Sequence, residues 1–561
     1  MMDKKTIIAI VLSLAVLLAY QIFFVKPPVP QKTATPQQQA DQAKAGQAPA
    51  SATTAATAIA KTAPQPAASK PEAPPRDIKV ETPHYTAIFS TRGAALKSLK
   101  LKNYYQDCYE CTDDIWPKIK GLFTGTREVV KPKTKDFVEL VDVRDGMPYP
   151  LAVTFPESSV AVAPDATFDT AAGKLDLVNT REKKQLVFTK SYSDVKIEKI
   201  FTIDPAGYTI GLEVKVYNLT SSPITQIPKI NWYQYVDPQK IEDSYGHEGP
   251  AVSVGGSIER QEVKKLNSES ILGPNVLWGS FESKYFIASF IPENPSLTNV
   301  IMTRDADNMV SIGMKGRKEL IPGGQNSVFS YSLYLGPKQY DLLKTLGVGL
   351  ESAIDFGWFK WLAIPALWIL NFLYGFVLNY GLAIIILTTI IKIIFWPLGN
   401  LSYKSMNEMK KLQPKIEALK EKYKNDQAKI GSETMALYRE HKVNPFSGCL
   451  PMLIQIPVFF GLYKALMYSI ELRHSPLFFW IQDLSAPDPY YITPIIMGAT
   501  QFISQKMTPA MGDPMQQKIM LLMPVVFTFF FLNFPSGLVI YWLFNNVLQI
   551  GQQFYINRKL A

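Results

Sequence analysis

With 561 residues, a net charge of +10 and a mean hydropathy of +0.02, this chain averages strongly apolar and strongly polar stretches, which excludes a single soluble domain. In a chain with membrane-like segments the basic excess is a topology signal before it is a nucleic-acid footprint. Thr6 to Val25 form a twenty-residue, predominantly apolar run behind Lys4 and Lys5, and the run ends in Phe23, Phe24, Val25, Lys26 and Pro27 rather than in a small-residue cleavage site. That predicts a retained transmembrane anchor over residues 1–26, its N-terminus in the cytoplasm. Residues 27–77 are Pro, Ala, Gln, Thr and Lys with almost no large apolar side chain. Such a segment cannot bury enough surface to offset its ordering entropy, so it reads as an extended tether.

Over residues 78–340 the pattern turns to period two. Ile210, Leu212, Val214 and Val216 alternate with polar positions, as do Phe329, Tyr331, Leu333 and Leu335, with turn signals at Asp204-Pro205-Ala206-Gly207 and Pro322-Gly323-Gly324. The expectation is a large antiparallel β-sandwich, placed on the outer side of the membrane by the anchor before it. Trp232, Tyr233 and Tyr235 fit either the core and rim of the sheet or the wall of a carbohydrate cleft, the first being the simpler reading. Cys108 and Cys111 form a CxxC in this outer domain, and Cys449 stands alone at the start of a span. A local disulfide is preferred over zinc or redox catalysis, with free thiols as the alternative, because His84, His247, His441 and His474 show no ligand spacing.

The C-terminal third reads as the membrane core. Residues 355–378, rich in Trp, Phe and Leu but interrupted by Pro365 and Asn371, predict an amphipathic helix in the outer interface. Spans are expected at 379–399, 449–470, 491–507, 518–534 and 536–556 within a five-helix core, 379–561, making six transmembrane helices in all. Residues 400–446 carry ten Lys/Arg against six Asp/Glu, whereas the loop 471–490 has one Arg. The positive-inside bias therefore places 400–446 and the C-terminus in the cytoplasm. Met406, Met409, Leu412, Ile416 and Leu419 recur at helical spacing, and a second helical run covers 428–441, which together predict a helical hairpin with a charged face.

Lys392 is the one full charge inside the span 379–399. Insertion scales place the cost of a central lysine at roughly 2.5–3.5 kcal/mol, so it marks a wet or partner-lined site unless it snorkels to the surface. Thr388 and Thr389 sit one turn away, and the expected span leaves Lys392 seven residues above its inner end. Tyr541, Asn545, Gln549 and Gln552 share one face of the last span, while Gln501 and Gln505 share a face of another. Polar residues on helices can serve simply as interhelical contacts. Their common depth on at least three helices instead describes a groove open to the cytoplasm and closed outward. A transporter needs polar groups reachable from both sides and a repeat, and the sequence shows neither. An enzyme needs a nucleophile with its base, or a metal set; no HExxH and no Ser/His or paired-Asp constellation occurs in the spans.

The runs Asn444 to Tyr463 (NPFSGCLPMLIQIPVFFGLY), Asp513 to Met520 (DPMQQKIM) and Phe534 to Tyr541 (FPSGLVIY), with Phe281 to Phe286 (FESKYF), resemble the YidC membrane-protein insertases of Gram-negative bacteria, within the wider YidC/Oxa/Alb family. The resemblance spans essentially the whole chain. It implies an inner-membrane insertase and chaperone, not an enzyme, that needs no cofactor. Nascent membrane proteins are the implied clients, received alone or beside the Sec translocon, with ribosome and targeting factors meeting the cytoplasmic hairpin. By position, the family's groove cation falls on Lys392, where many relatives have arginine, and its client-contacting threonine on Thr388. Its tyrosine pair falls on Tyr541 and Trp542, so the second hydroxyl is missing. The expected substrate-binding groove is thus Lys392, Thr388, Gln501, Tyr541, Trp542, Asn545 and Gln549.

Overall fold

The computed structural model describes residues 74–108, 135–237, 246–266, 268–424, 426–441, 443, 450–508 and 514–560. The expected anchor, all but the last residues of the tether, Cys111 and Cys449 lie outside the described residues.

Strands begin at Asp77 and the last one ends at Pro337. The largest sheet has eight antiparallel strands in the order Ser257–Arg260, Gly249–Val254, Val276–Glu282, Phe286–Pro292, Asn326–Pro337, Thr209–Asn218, Val195–Ile203 and Lys184–Ser191. A five-stranded sheet built around Lys229–Tyr235 and Met309–Lys315, and another around Tyr85–Ser90 and Ala95–Tyr105, complete the β-domain with a short two-stranded pair. The period-two residues face inward as their spacing requires: Ile210, Leu212, Val214 and Val216 are buried on one side of their strand. Trp232 is fully buried and meets Phe290 of the large sheet edge-on at 6.0 Å, while Tyr233 and Tyr235 are half-buried. These aromatics are therefore core and rim. Lys199 is fully buried as well, and its Nζ donates to the carbonyls of Gly93, Ala94 and Leu151, pinning two connecting segments onto the large sheet.

Nine described helices follow: α1 (Tyr340–Thr345), α2 (Lys360–Val377), α3 (Tyr380–Ile394), α4 (Trp396–Lys422), α5 (Gln427–Glu440), α6 (Leu450–Tyr468), α7 (Ile492–Met507), α8 (Pro514–Phe531) and α9 (Ser536–Leu560). Among the described residues α2 alone is long and apolar enough to cross a membrane as a single straight helix. Its Trp361, Trp368, Phe372 and Phe376 are 54–72% exposed. The α3–α4 pair qualifies together but is bent by 60°. Asn379 starts α3 by accepting from Leu382 N at 2.9 Å and ties it to the outer loop by donating to Leu477 O. Proline at 397 has no N–H to give to Ile393 and fits only the first turn of a new helix, so the expected single span 379–399 breaks at Phe395. The hairpin forms from α4 and α5, with Met406, Met409 and Leu412 buried, and Asp426 caps α5 through Lys429 N.

The β-domain and the bundle share one apolar core: Phe356, Ala363, Leu367, Ala465 and Ile470 join the buried side chains of the sandwich. Charged groups reinforce the junction. Arg260 Nε lies 2.7 Å from Glu282 Oε1 and its Nη2 donates to Ala353 O, just ahead of α2. Asp355 in the same segment pairs with Lys464 of α6 at 3.3 Å.

Candidate functional site

The last helix organises the bundle, since α9 packs on α3, α4, α6 and α7. Its first half is apolar and buried: Leu538, Val539, Ile540 and Tyr541 join Ile384 and Leu387 of α3, Leu462 and Tyr463 of α6 and Met497 of α7 in a second core. The outer loop closes this end. Ser536 and Gly537 donate from their backbone N–H groups to Ala486 O and Leu484 O, at 2.7 and 2.9 Å. Asp488 Oδ2 caps the start of α7 by accepting from Thr493 N and Oγ1.

Polar side chains take over one turn further along α9. The Tyr541 hydroxyl meets Gln455 of α6, and its ring lies 6.3 Å from that of Phe459. Trp542 sets its edge on Phe459 at 4.6 Å and donates from Nε1 to Gln501 Oε1 of α7 at 3.2 Å. Asn545 is half-buried, and Gln549 reaches Tyr403 of α4. Gln552 donates to Trp396 O at 3.0 Å and Asn400 Oδ1 at 3.1 Å, holding the bend between α3 and α4. The expected polar face of the last span thus makes contacts to two neighbours, α6 through Tyr541 and α4 through Gln549 and Gln552, while the adjacent Trp542 reaches α7.

Lys392 stands in the last turn of α3, two residues from its end, because the helix stops at Ile394. The expected seven-residue height above the inner end is corrected by the break before Pro397. A cation in the last turn of a helix is favoured by the helix dipole. Lys392 is half-buried and makes no ion pair or hydrogen bond with another described residue. The sequences of α3, α7 and α9 contain no Asp or Glu, so the charge is not neutralised from those helices. Thr388 is buried and its Oγ1 donates to Ile384 O of its own helix at 2.7 Å. Thr388 and Tyr541 form the packed back of the site, whereas Lys392, Gln501, Trp542, Asn545 and Gln549 are only partly buried.

Three contributors escaped the periodicity argument. Asn546 is buried and donates to Met497 O and Thr500 Oγ1, and Gln553 is buried with its amide oxygen unpartnered among the described residues. Tyr403 comes from the far side of the bend. The doublets Asn545-Asn546 and Gln552-Gln553 were the available signal, because adjacent polar residues wet two faces of one helix.

The fold and the site define a class: a membrane-embedded helical bundle whose polar residues collect toward one end, carrying a large β-sandwich at the other. Residues 372–561 match the family described as 60Kd inner membrane protein, and residues 127–369 match the YidC periplasmic domain. The protein named membrane protein insertase YidC from Syntrophus aciditrophicus (strain SB) is 54% identical over 576 residues, covering 100% of both chains. Its namesake from Citrifermentans bemidjiense is 44% identical over 565 residues, again covering 100% of each. A crystal structure described as active YidC insertase with the first transmembrane domain resolved aligns with 85% of this chain and 91% of its own, at 22% identity and a TM-score of 0.35. The chain belongs to the YidC membrane protein insertase family. It is an inner-membrane protein with a periplasmic β-domain, and it inserts membrane proteins rather than catalysing a reaction.

Proposed function

We propose that Lys392, Gln501, Trp542, Asn545 and Gln549, backed by Thr388 and Tyr541, line a hydrophilic groove that receives the polar segment of a client. The groove opens to the cytoplasm and to lipid and is closed on the periplasmic side. The observation that carries this reading is the split of α9 into a buried apolar first half and a polar second half beside an uncompensated lysine.

A polar client segment in a wet groove escapes much of the desolvation that unpaired groups suffer in hydrocarbon. Lys392 attracts acidic residues there. It supplies charge without the planar fork of an arginine, so the attraction is general rather than bidentate. The client's apolar segment then leaves along lipid-facing side chains such as Ile393, Ile394, Ile495 and Phe529, all exposed. Burial of that segment in lipid supplies the free energy for releasing the polar part outward, which removes any need for nucleotide hydrolysis.

In this reading the chain crosses the membrane six times with both termini in the cytoplasm. Nascent chains arrive at the α4–α5 hairpin, whose cleft is bordered by Lys415, Lys422, Glu433 and Glu440 and whose basic excess suits ribosome and targeting factors. Clients are inserted alone or together with Sec translocon subunits. Photo-crosslinkers placed at Lys392, Gln501 and Asn545 test the groove against a stalled single-span nascent chain. Adducts at these positions are expected; labelling confined to the outer loop, for instance at Phe479, would overturn it.

A further inference from the structure

Trp542 of α9 is held by three aromatic rings. It lies 4.6 Å from Phe459 of α6, edge to face, and 5.2 Å from Phe531 and 6.3 Å from Phe527 of α8. Those contacts set the plane of the indole and hence the direction of its N–H, which meets Gln501 Oε1 of α7 at 3.2 Å. One turn further along α9, the buried Asn546 donates to Met497 O and to Thr500 Oγ1, both at 3.4 Å. Bonds from two positions one turn apart thus fix α7 against α9, and with it the backbone that carries Gln501.

An indole nitrogen donates and never accepts. The amide atom it meets is therefore the oxygen, so the orientation of Gln501 follows from the chemistry of its partner. A phenol or an alcohol in the same place could donate or accept, and would hold the amide either way round. With tryptophan the oxygen is engaged and the two N–H bonds of Nε2 are directed away from the indole. Gln501 is half-buried and makes no other hydrogen bond among the described residues.

We propose that the indole of Trp542 locks Gln501 as a hydrogen-bond donor, and that the Gln501 amide takes the backbone carbonyl oxygens of the client's polar segment. This rests on the groove reading above and adds the chemical group recognised there. Lys392 answers to the charge of the client, whereas a neutral donor answers to the carbonyl oxygen that every residue carries. A client segment that has not formed a helix leaves those carbonyls without partners, and an unpaired carbonyl is costly beside hydrocarbon. α3 and α7 both pack on α9, which places the cation and the amide on helices that share one neighbour. The groove thereby holds polar segments of any sequence while keeping a preference for acidic ones. Trp542 acts through Gln501 and is a positioning residue.

Full-length protein in proteoliposomes is tested with two single-span clients whose translocated segments match in length, one acidic and one neutral. Gln501→Met keeps the side-chain length and removes the donors. It should lower insertion of both clients by the same factor, about two- to tenfold, the worth of a neutral hydrogen bond. Trp542→Phe keeps a ring in the aromatic cluster and frees the amide; it should lower both by less, and change nothing further in the Gln501→Met background. The resonance Raman band of the Trp542 indole N–H, taken as parent minus Trp542→Phe, should be that of a hydrogen-bonded indole and become that of a free one in Gln501→Met. Matched unfolding temperatures in detergent separate donor loss from misfolding. Unchanged insertion by Gln501→Met, a loss confined to the acidic client, or a further loss in the double variant overturns the proposal. If Gln501→Met does not fold, a free-indole band in the parent protein overturns it alone. Failure of the proposal with crosslinks at Lys392 and Asn545 intact leaves the groove standing; their absence from the parent protein removes both.

Discussion

Lys338 Nζ lies 2.8 Å from Glu282 Oε2, and both residues are buried, Glu282 completely. Arg260 occupies the other carboxylate oxygen, so one acid holds two cations where the last strand leaves the sandwich for the membrane. Burial alone pushes the Glu282 carboxyl up, but Lys338 and Arg260 outweigh it and hold the group below its usual range. Removing the acid strands two cations in a dry site. Glu282→Gln should cost about 3–5 kcal/mol, read as a lowering of the unfolding temperature by roughly ten degrees. Lys338→Met should be milder, since Arg260 keeps its partner. Equal, small shifts in both variants would show that water reaches the cluster.

Lys199 sets a pH dependence of the β-domain. Burial depresses its ammonium from 10.5 to about 7 although three carbonyls face it. Between those values the unfolded chain holds a proton that the folded chain lacks, so stability rises with pH across that window and is flat below it. The slope approaches about 1.4 kcal/mol per pH unit at mid-window. Denaturation of the parent and of Lys199→Met at pH 7, 8 and 9 isolates this slope, because other groups titrate in both. The parent should gain on the variant at each step. Parallel curves would mean that Lys199 stays protonated in the fold.

Much of this architecture was legible because it is local. Strand alternation, as at Ile210 to Val216, and the 3–4 spacing of Met406, Met409 and Leu412 each follow from burying one face of a regular element. The FESKYF run, first a family resemblance, now has physical content: Glu282 anchors the buried ion cluster and Phe286 lies beneath Arg473. What escaped the sequence is set by distant partners. Thr388 and Tyr541 read as groove residues of the same standing as Lys392, yet packing buries them behind it. The break at Phe395 was visible as Pro397, but an apolar run of span length masked it. The hydrogen bond from Arg473 to Gln106 O depends on docking two distant parts of the chain, which no local period encodes.

Gly498 marks a close approach of α7 and α8. A Cβ there would run into the Thr528 side chain, so the two helices can pack at this distance only with glycine or after one neighbour is trimmed. Gly498→Val should separate the helices and lower thermal stability in detergent by about 1–3 kcal/mol. Gly498→Ala combined with Thr528→Ala should recover most of the loss seen for Gly498→Ala alone. Failure of the second substitution to help would place the strain elsewhere on α7.

Lys392 carries the last prediction. Positioned in the final turn of α3, with no acidic group on α3, α7 or α9 and no described partner, it is available to charges that arrive from outside the protein. Lys392→Leu should reduce insertion of a client with an acidic translocated segment several-fold in proteoliposomes, while a client with a neutral segment inserts nearly as before. Lys392→Arg should retain or raise insertion of the acidic client, because the fork adds paired hydrogen bonds to the same charge. Neighbouring polar groups share the groove, so the comparison that decides is the ratio of the two clients within each variant, not either rate alone. An equal loss for both clients in Lys392→Leu would assign the lysine to holding the bend beside Phe395, and charge attraction would then have to come from residues nearer the hairpin.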